Sequence, residues 1–122
     1  MQVGNSDRNV RFSLGGMTFE YDKEKNLKNI EKHGISFRNA ARVFFDYDRI
    51  EMYDDEHSEN EERYNTIGSI GASIGAAEDI LFVVYTERAV YLERNERLEV
   101  TRLISARMAT SFERGLYYGK YN

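Results

Sequence analysis

Thr18-Phe19-Glu20-Tyr21 alternates polar and aromatic side chains, the period-2 pattern of a strand with one buried face. The period then changes. Asp22 is placed to accept from the free amides of a first helical turn, and a helix is predicted to run to His33, where Gly34 can take the left-handed conformation that ends it. Leu27 and Ile30 form its expected buried stripe. Lys25, Lys28 and Lys32, at i, i+3 and i+7, share a different face, and His33 flanks the stripe on the side away from them. Ser36 caps a second short helix, where Phe37, Ala40, Ala41 and Phe44 recur at i, i+3, i+4 and i+7.

Strand patterns follow. Ile50 and Met52 alternate with Glu51 and Tyr53, residues 63–70 read as a strand, and the nearly all-apolar run 80–85 reads as a central one. Residues 89–93 and 98–104 predict a hairpin around Asn95. A last helix is expected over 105–118, capped by Ser105, with Ala109, Phe112 and Leu116 on one face. The order β-α-α-β-β-β-β-α predicts an α+β fold, an antiparallel β-sheet packed with two N-terminal helices and one C-terminal helix. Residues 1–16, polar over Asn5-Ser6-Asp7-Arg8-Asn9 and ending in Gly15-Gly16, read as a flexible N-terminal extension, and 17–122 as a single domain.

Composition narrows the chemistry. A chain of 122 residues has room for one core. The absence of cysteine excludes disulfides, thiolate catalysis and Cys-based zinc sites, and two histidines cannot build a His-rich metal centre. No metal or cofactor is expected. No apolar run approaches the roughly 20 residues that cross a membrane, and residues 1–16 hold no signal-type run, which predicts a cytoplasmic protein.

The net charge is −4, but it is unevenly spread. Residues 46–62 hold nine carboxylates against Arg49 alone, so the remainder of the chain is net basic. The acidic run reads as a solvated loop. His57 lies within it, where the surrounding carboxylates favour its protonated form and a structural role.

Several stretches carry candidate chemistry beside a plainer reading. Ile67 to Gly75 is glycine-rich but lacks the Gly-Lys-Ser/Thr ending of a phosphate loop, so close strand packing at its glycines is the better account. His33 is either a general base or a helix C-terminal residue interacting with the helix dipole. Lys25, Lys28 and Lys32 are either a solvated face or a phosphate-attracting stripe. Glu87-Arg88 follows the most apolar strand directly, where a rigid element positions side chains well; the plainer account is a salt bridge. Arg107, near the start of the last predicted helix, offers two parallel donors to an anion or pairs with a carboxylate.

Four blocks occur in one order: Glu31-Lys32-His33-Gly34-Ile35-Ser36-Phe37, Glu62-Arg63-Tyr64 ahead of Ile67-Gly68, Val83-Val84-Tyr85-Thr86-Glu87-Arg88, and Ile104-Ser105-Ala106-Arg107-Met108-Ala109-Thr110. In this order, over about residues 17–118, the chain resembles the BrnT family of bacterial toxins. The resemblance implies a RelE-like fold and a metal-independent endoribonuclease that cleaves RNA and inhibits translation. It also implies a BrnA-like antitoxin, encoded in the same operon, that neutralises the toxin and alone contacts DNA. Carried over by position, Arg63, Arg88 and Arg107 would hold the phosphate, His33 or Glu87 would act as base, and Lys32 would supply charge or a proton; Lys25 and Lys28 are substrate-binding candidates from the helix face they share with Lys32. The chain departs from the family pattern at Met108, where a basic residue is common, at Phe37-Arg38-Asn39, where acidic residues are commoner, and in longer stretches at 71–78 and 93–99. The alternative is a catalytically inactive RelE-like protein-binding module. Convergence of the arginines and His33 on one open surface favours the enzyme; scatter, or burial in salt bridges, favours the module.

Overall fold

A computed structural model describes residues 8–59, 61–72 and 78–119. Among them, strands β1 (Asn9–Leu14), β2 (Met17–Asp22), β3 (Ile50–Tyr53), β4 (Tyr64–Ala72), β5 (Glu78–Tyr91) and β6 (Arg97–Met108) form one sheet in the order β1-β2-β6-β5-β4-β3. The α+β class is as expected from the sequence. The sheet is mixed rather than purely antiparallel, because β2 pairs with β6 in parallel, Phe19 against Thr101 and Glu20 against Arg102. That pairing follows from the chain path: α1 (Lys23–His33) and the segment after it carry the chain away from β2 before the sheet is built from its other end.

Residues 9–14, assigned from sequence to a flexible extension, instead form edge strand β1, paired with β2 along its length. Gly15 and Gly16 make the turn between them, both with positive φ, a conformation glycine adopts without steric cost.

Helix α1 has the predicted ends. Asp22 accepts from the amides of Glu24 and Lys25, and Gly34 closes the helix at φ 72°. Its packing differs from expectation. Leu27 and Ile30 are exposed, and the buried residue is Asn29. Its amide donates to the carbonyls of Ile35 (2.9 Å) and Ala106 (2.8 Å), and its carbonyl accepts from the Ala106 amide. Beyond its short pairing with β2, strand β6 would leave backbone groups unpaired, and Asn29 supplies both bonds a missing strand would have made at Ala106. The second predicted helix is one α-turn, α2 (Phe37–Ala40), which tightens into a 3-10 segment over Ala41–Phe45.

Strand alternation divides the core between two faces. Leu81, Val83 and Tyr85 of β5 pack with Phe19, Phe37, Ala40, Ala41, Val43 and Phe44, beneath α2 and the 3-10 segment. Ile80 and Phe82 point the other way, towards Ile67 and Tyr117. Tyr117 comes from α3 (Ser111–Gly119), which packs on β4.

Two sequence expectations near the C-terminus shift. The runs 80–85 and 89–93 belong largely to one strand, β5, and the turn to β6 places Arg94 and Asn95 at positive φ. The last helix begins at Ser111, not 105, because Thr110-Ser111-Phe112-Glu113 is a capping box: Thr110 Oγ1 accepts from the Glu113 amide and Glu113 accepts from the Thr110 amide. Phe112 and Leu116, expected on a buried face, are exposed. The glycine-rich run from Ile67 begins as strand β4, and a Cβ at buried Gly68 would lie 3.1 Å from Arg49 Cβ, which accounts for that glycine by packing. Residues 73–77 of this stretch lie outside those described.

Candidate active site

Strand β5 carries Glu87 and Arg88 on the stretch that has passed the start of β4, where its pairing partner is β6. Glu87 faces a cleft of about 410 Å3 lined by Glu51, Met52, Tyr53, Tyr64, Tyr85 and itself. The tyrosine rings form a continuous wall, Tyr53 edge-on to Tyr64 at 5.7 Å and Tyr64 stacked on Tyr85 at 5.6 Å. The Tyr85 hydroxyl donates to Glu51 at 2.6 Å. Desolvation first, then the charges of Glu51 and Glu99, push the Glu87 carboxyl above its ordinary pKa. A carboxylate tuned upward is a better general base near neutral pH. The tyrosines are pushed up too, Tyr64 chiefly by the Glu62 charge and Tyr85 chiefly by burial, so both stay protonated and serve as donors and stacking surfaces.

Arg88 leaves β5 on the opposite face and meets Glu20 of β2 at 3.3 Å. Glu20 is fully buried, and it is also bonded by Arg102 of β6 (2.9 Å) and Arg11 of β1 (3.0 Å), with Asn9 at 3.4 Å. Burial alone raises a carboxyl pKa, but the bonds from Arg11, Arg102 and Asn9 and the charge of Arg88 outweigh it and hold Glu20 below the ordinary range. Arg102 stands beside Glu20 through the parallel register, and Arg11 faces it through the β1–β2 pairing.

Arg107 lies on β6, not in the last helix. Both terminal nitrogens are engaged by Glu113 at 2.8 and 2.9 Å, and its guanidinium covers the Phe82 ring at 4.2 Å. Arg63 directly precedes β4 and lines a shallow pocket with Glu56, His57, Glu59 and Glu61, at 3.8 Å from the Glu61 carboxylate. His57 in turn binds Asp54 at 3.0 Å, the structural role its acidic neighbours suggested.

On α1, Lys25, Lys28 and Lys32 are exposed and His33 is half-buried. None of these four side chains makes a hydrogen bond or ion pair among the described residues, although the Lys25 amide donates to Asp22. The six candidate catalytic residues therefore do not form one cluster. Glu87 and Arg88 share an edge of β5 but face opposite ways, Arg107 is tied to Glu113, Arg63 belongs to the acidic loop, and Lys32 and His33 sit at the end of α1.

A family model described as "Ribonuclease toxin, BrnT, of type II toxin-antitoxin system" matches residues 21–113. The chain belongs to the BrnT family. No curated protein matches the chain. Membership of BrnT gives the cleft and the arginines a chemical context, since ribonucleases act on a phosphodiester and type II toxins are paired with an antitoxin. Among the described residues of this BrnT chain, no helix is long and apolar enough to cross a membrane.

Sequence reasoning missed Glu20, Arg11 and Arg102, and it missed the tyrosine wall. A signal for Glu20 was present: in Thr18-Phe19-Glu20-Tyr21 it lies on the side opposite the aromatics, with the charged Arg11 in a similar alternation, Val10-Arg11-Phe12. Nothing in the sequence showed that Arg102, 82 residues away, would stand beside it. The capping box at Thr110 and Glu113 was legible and would have placed Arg107 ahead of the helix.

Proposed function

We propose that this protein is a metal-independent endoribonuclease toxin of RelE-like type, acting in the cytoplasm, where RNA cleavage inhibits translation. A BrnA-like antitoxin encoded beside it neutralises it and provides the only link to DNA. The observation that carries this reading is the placement of Glu87, an upward-shifted carboxyl at the rim of an aromatic cleft. In the proposed reaction Glu87 takes the proton from a ribose 2′-hydroxyl, whose oxygen attacks the adjacent phosphorus, and the bond to the 5′-oxygen breaks. A base stacks on the Tyr53–Tyr64 wall. Arg88, on the opposite face, holds a neighbouring phosphate of the RNA where the strand crosses the β5 edge, and so positions the scissile one at Glu87. Lys32 or His33 is the candidate donor to the departing oxygen, with Lys25 and Lys28 as outlying phosphate contacts.

A second reading, a catalytically inactive RelE-like protein-binding module, is favoured by the engagement of Arg107 with Glu113 and by the scatter of the other candidates. Expression from a tight promoter, with and without the neighbouring reading frame, separates the two. Growth arrest relieved by the neighbour, and lost in Glu87→Gln or Arg88→Ala, supports the toxin. Unimpaired growth at verified expression supports the module. RNA cleavage in vitro that persists in chelator tests metal independence.

A further inference from the structure

We propose that Arg11, Arg88 and Arg102, gathered on buried Glu20, form a preorganised binding site for the phosphodiester backbone of RNA. This builds on the ribonuclease reading and adds a surface to it. Three guanidinium groups meet one carboxylate, at 3.0, 3.3 and 2.9 Å. One carboxylate balances one of them, so two positive charges remain unneutralised within the cluster. One arginine would balance the charge of a buried carboxylate, whereas three share this one across both of its oxygens. Their side chains remain 37%, 48% and 26% exposed, so each reaches solvent even though Arg102 Nη1 also donates to Asn9 Oδ1 at 2.7 Å.

The fold holds this charge in place. Arg11, Glu20 and Arg102 stand in a row across β1, β2 and β6, fixed by strand register, with Arg88 reaching in from β5. Strands about 4.8 Å apart set the spacing of that row. Guanidinium groups fixed before binding lose little rotamer freedom on meeting phosphate, unlike the three exposed lysines of α1. Overall charge works against RNA binding, because the chain carries −4. A local cationic cluster on a sheet face away from α2 and the core beneath it is what backbone binding requires. Asn9, Arg11 and Glu20 precede residue 21, so this part of the surface lies outside the segment that matches the family.

The test uses the full chain and a 2′-O-methyl RNA oligonucleotide, which binds without being cleaved. Anisotropy is measured across a salt series. Arg11→Ala and Arg102→Ala each should weaken binding and reduce the magnitude of the log-log salt slope by about 0.7, the value for one phosphate contact on a single strand. Arg97→Ala, a surface arginine on the β5–β6 hairpin paired with Glu99, should change neither. In the wild-type protein, the side-chain Nε–H signals of Arg11, Arg88 and Arg102 should shift together on titration, a readout that needs no variant to fold. Wild-type slope and affinity in well-folded Arg11→Ala and Arg102→Ala, or unmoved arginine signals at saturating oligonucleotide, overturn the site. So does a wild-type protein that fails to bind. Cleavage of unmodified RNA is scored separately, so the ribonuclease reading stands or falls on its own result.

Discussion

Glu87 and Arg88 are consecutive on β5, yet their side chains leave the strand on opposite faces. Glu87 looks into the cleft walled by Tyr53, Tyr64 and Tyr85, while Arg88 stands 3.3 Å from Glu20. The two substitutions should therefore fail differently. Glu87→Gln removes a proton acceptor and should lower the turnover rate by about 10²–10⁴ with little change in RNA affinity. It also removes a like charge beside Glu51 and Glu99, so the thermal midpoint should hold or rise. Arg88→Ala should weaken binding as well as turnover and make both less sensitive to salt. Equal losses of turnover and stability in Glu87→Gln would count against a catalytic role.

The upward shift of Glu87 also sets a pH profile. A base works only when deprotonated, so activity should rise with pH through a limb lying above the ordinary carboxylate range. Glu51→Gln removes one of the charges responsible, and the limb should move to lower pH. An unmoved limb would show that the titrating group is not Glu87.

Arg107 is bound by Glu113 through two bonds and lies over Phe82. Arg107→Ala should cost about 1 kcal/mol, a figure discounted for the partial exposure of the pair. Any loss of activity should then follow the loss of folded protein and be shared by Glu113→Gln. If Arg107→Ala abolishes cleavage while Glu113→Gln does not, the arginine releases its partner to hold substrate.

Glu20 and Glu113 have pKa values held below normal by their arginines, Glu20 against the effect of its own burial. A carboxyl depressed on folding stabilises the protein above its unfolded pKa, and that contribution disappears as pH falls through the folded value. Urea unfolding followed downward from pH 7 should show stability rising slightly as Glu87, whose pKa is raised on folding, takes up its proton, then falling below the ordinary carboxylate range as Glu20 and Glu113 lose their charge. Glu113→Gln should flatten the fall.

Legibility followed the range of the interactions. Local signals gave β2, the cap at Asp22, the stop at Gly34 and the cap at Ser36, each set by bonds a few residues long. Long-range pairing defeated the reading. Periodicity places Leu27 and Ile30 in the core, but the place beside α1 is the bare edge of β6, which needs hydrogen bonds rather than apolar cover. Arg88 lies on a rigid strand as its position after the apolar run suggests, Arg107 lies on β6 rather than in the last helix, and their partners Glu20 and Glu113 depend on how the strands pair and where that helix starts. Functional assignment by resemblance reached the family because ordered blocks survive without knowledge of contacts. It did not reach Arg11 or Glu20, which precede the matched segment.

Asn29 gives the sharpest stability test. Its side chain makes three hydrogen bonds, to Ile35 and to both backbone groups of Ala106, and it is 8% exposed. Asn29→Ala orphans two carbonyls and an amide. Each unsatisfied buried group costs about 1–3 kcal/mol, and partial entry of water recovers some of it, so a total loss of about 2–4 kcal/mol is expected. Asn29→Asp keeps an acceptor for the Ala106 amide but offers no donor to either carbonyl at neutral pH, and it should be no better than alanine. Asn29→Leu adds apolar area to a position whose neighbours need polar partners, and it should not rescue. Urea midpoints should fall in all three at unchanged slope. A wild-type midpoint in Asn29→Leu would mean that α1 is held by apolar contact after all, as its sequence periodicity suggested.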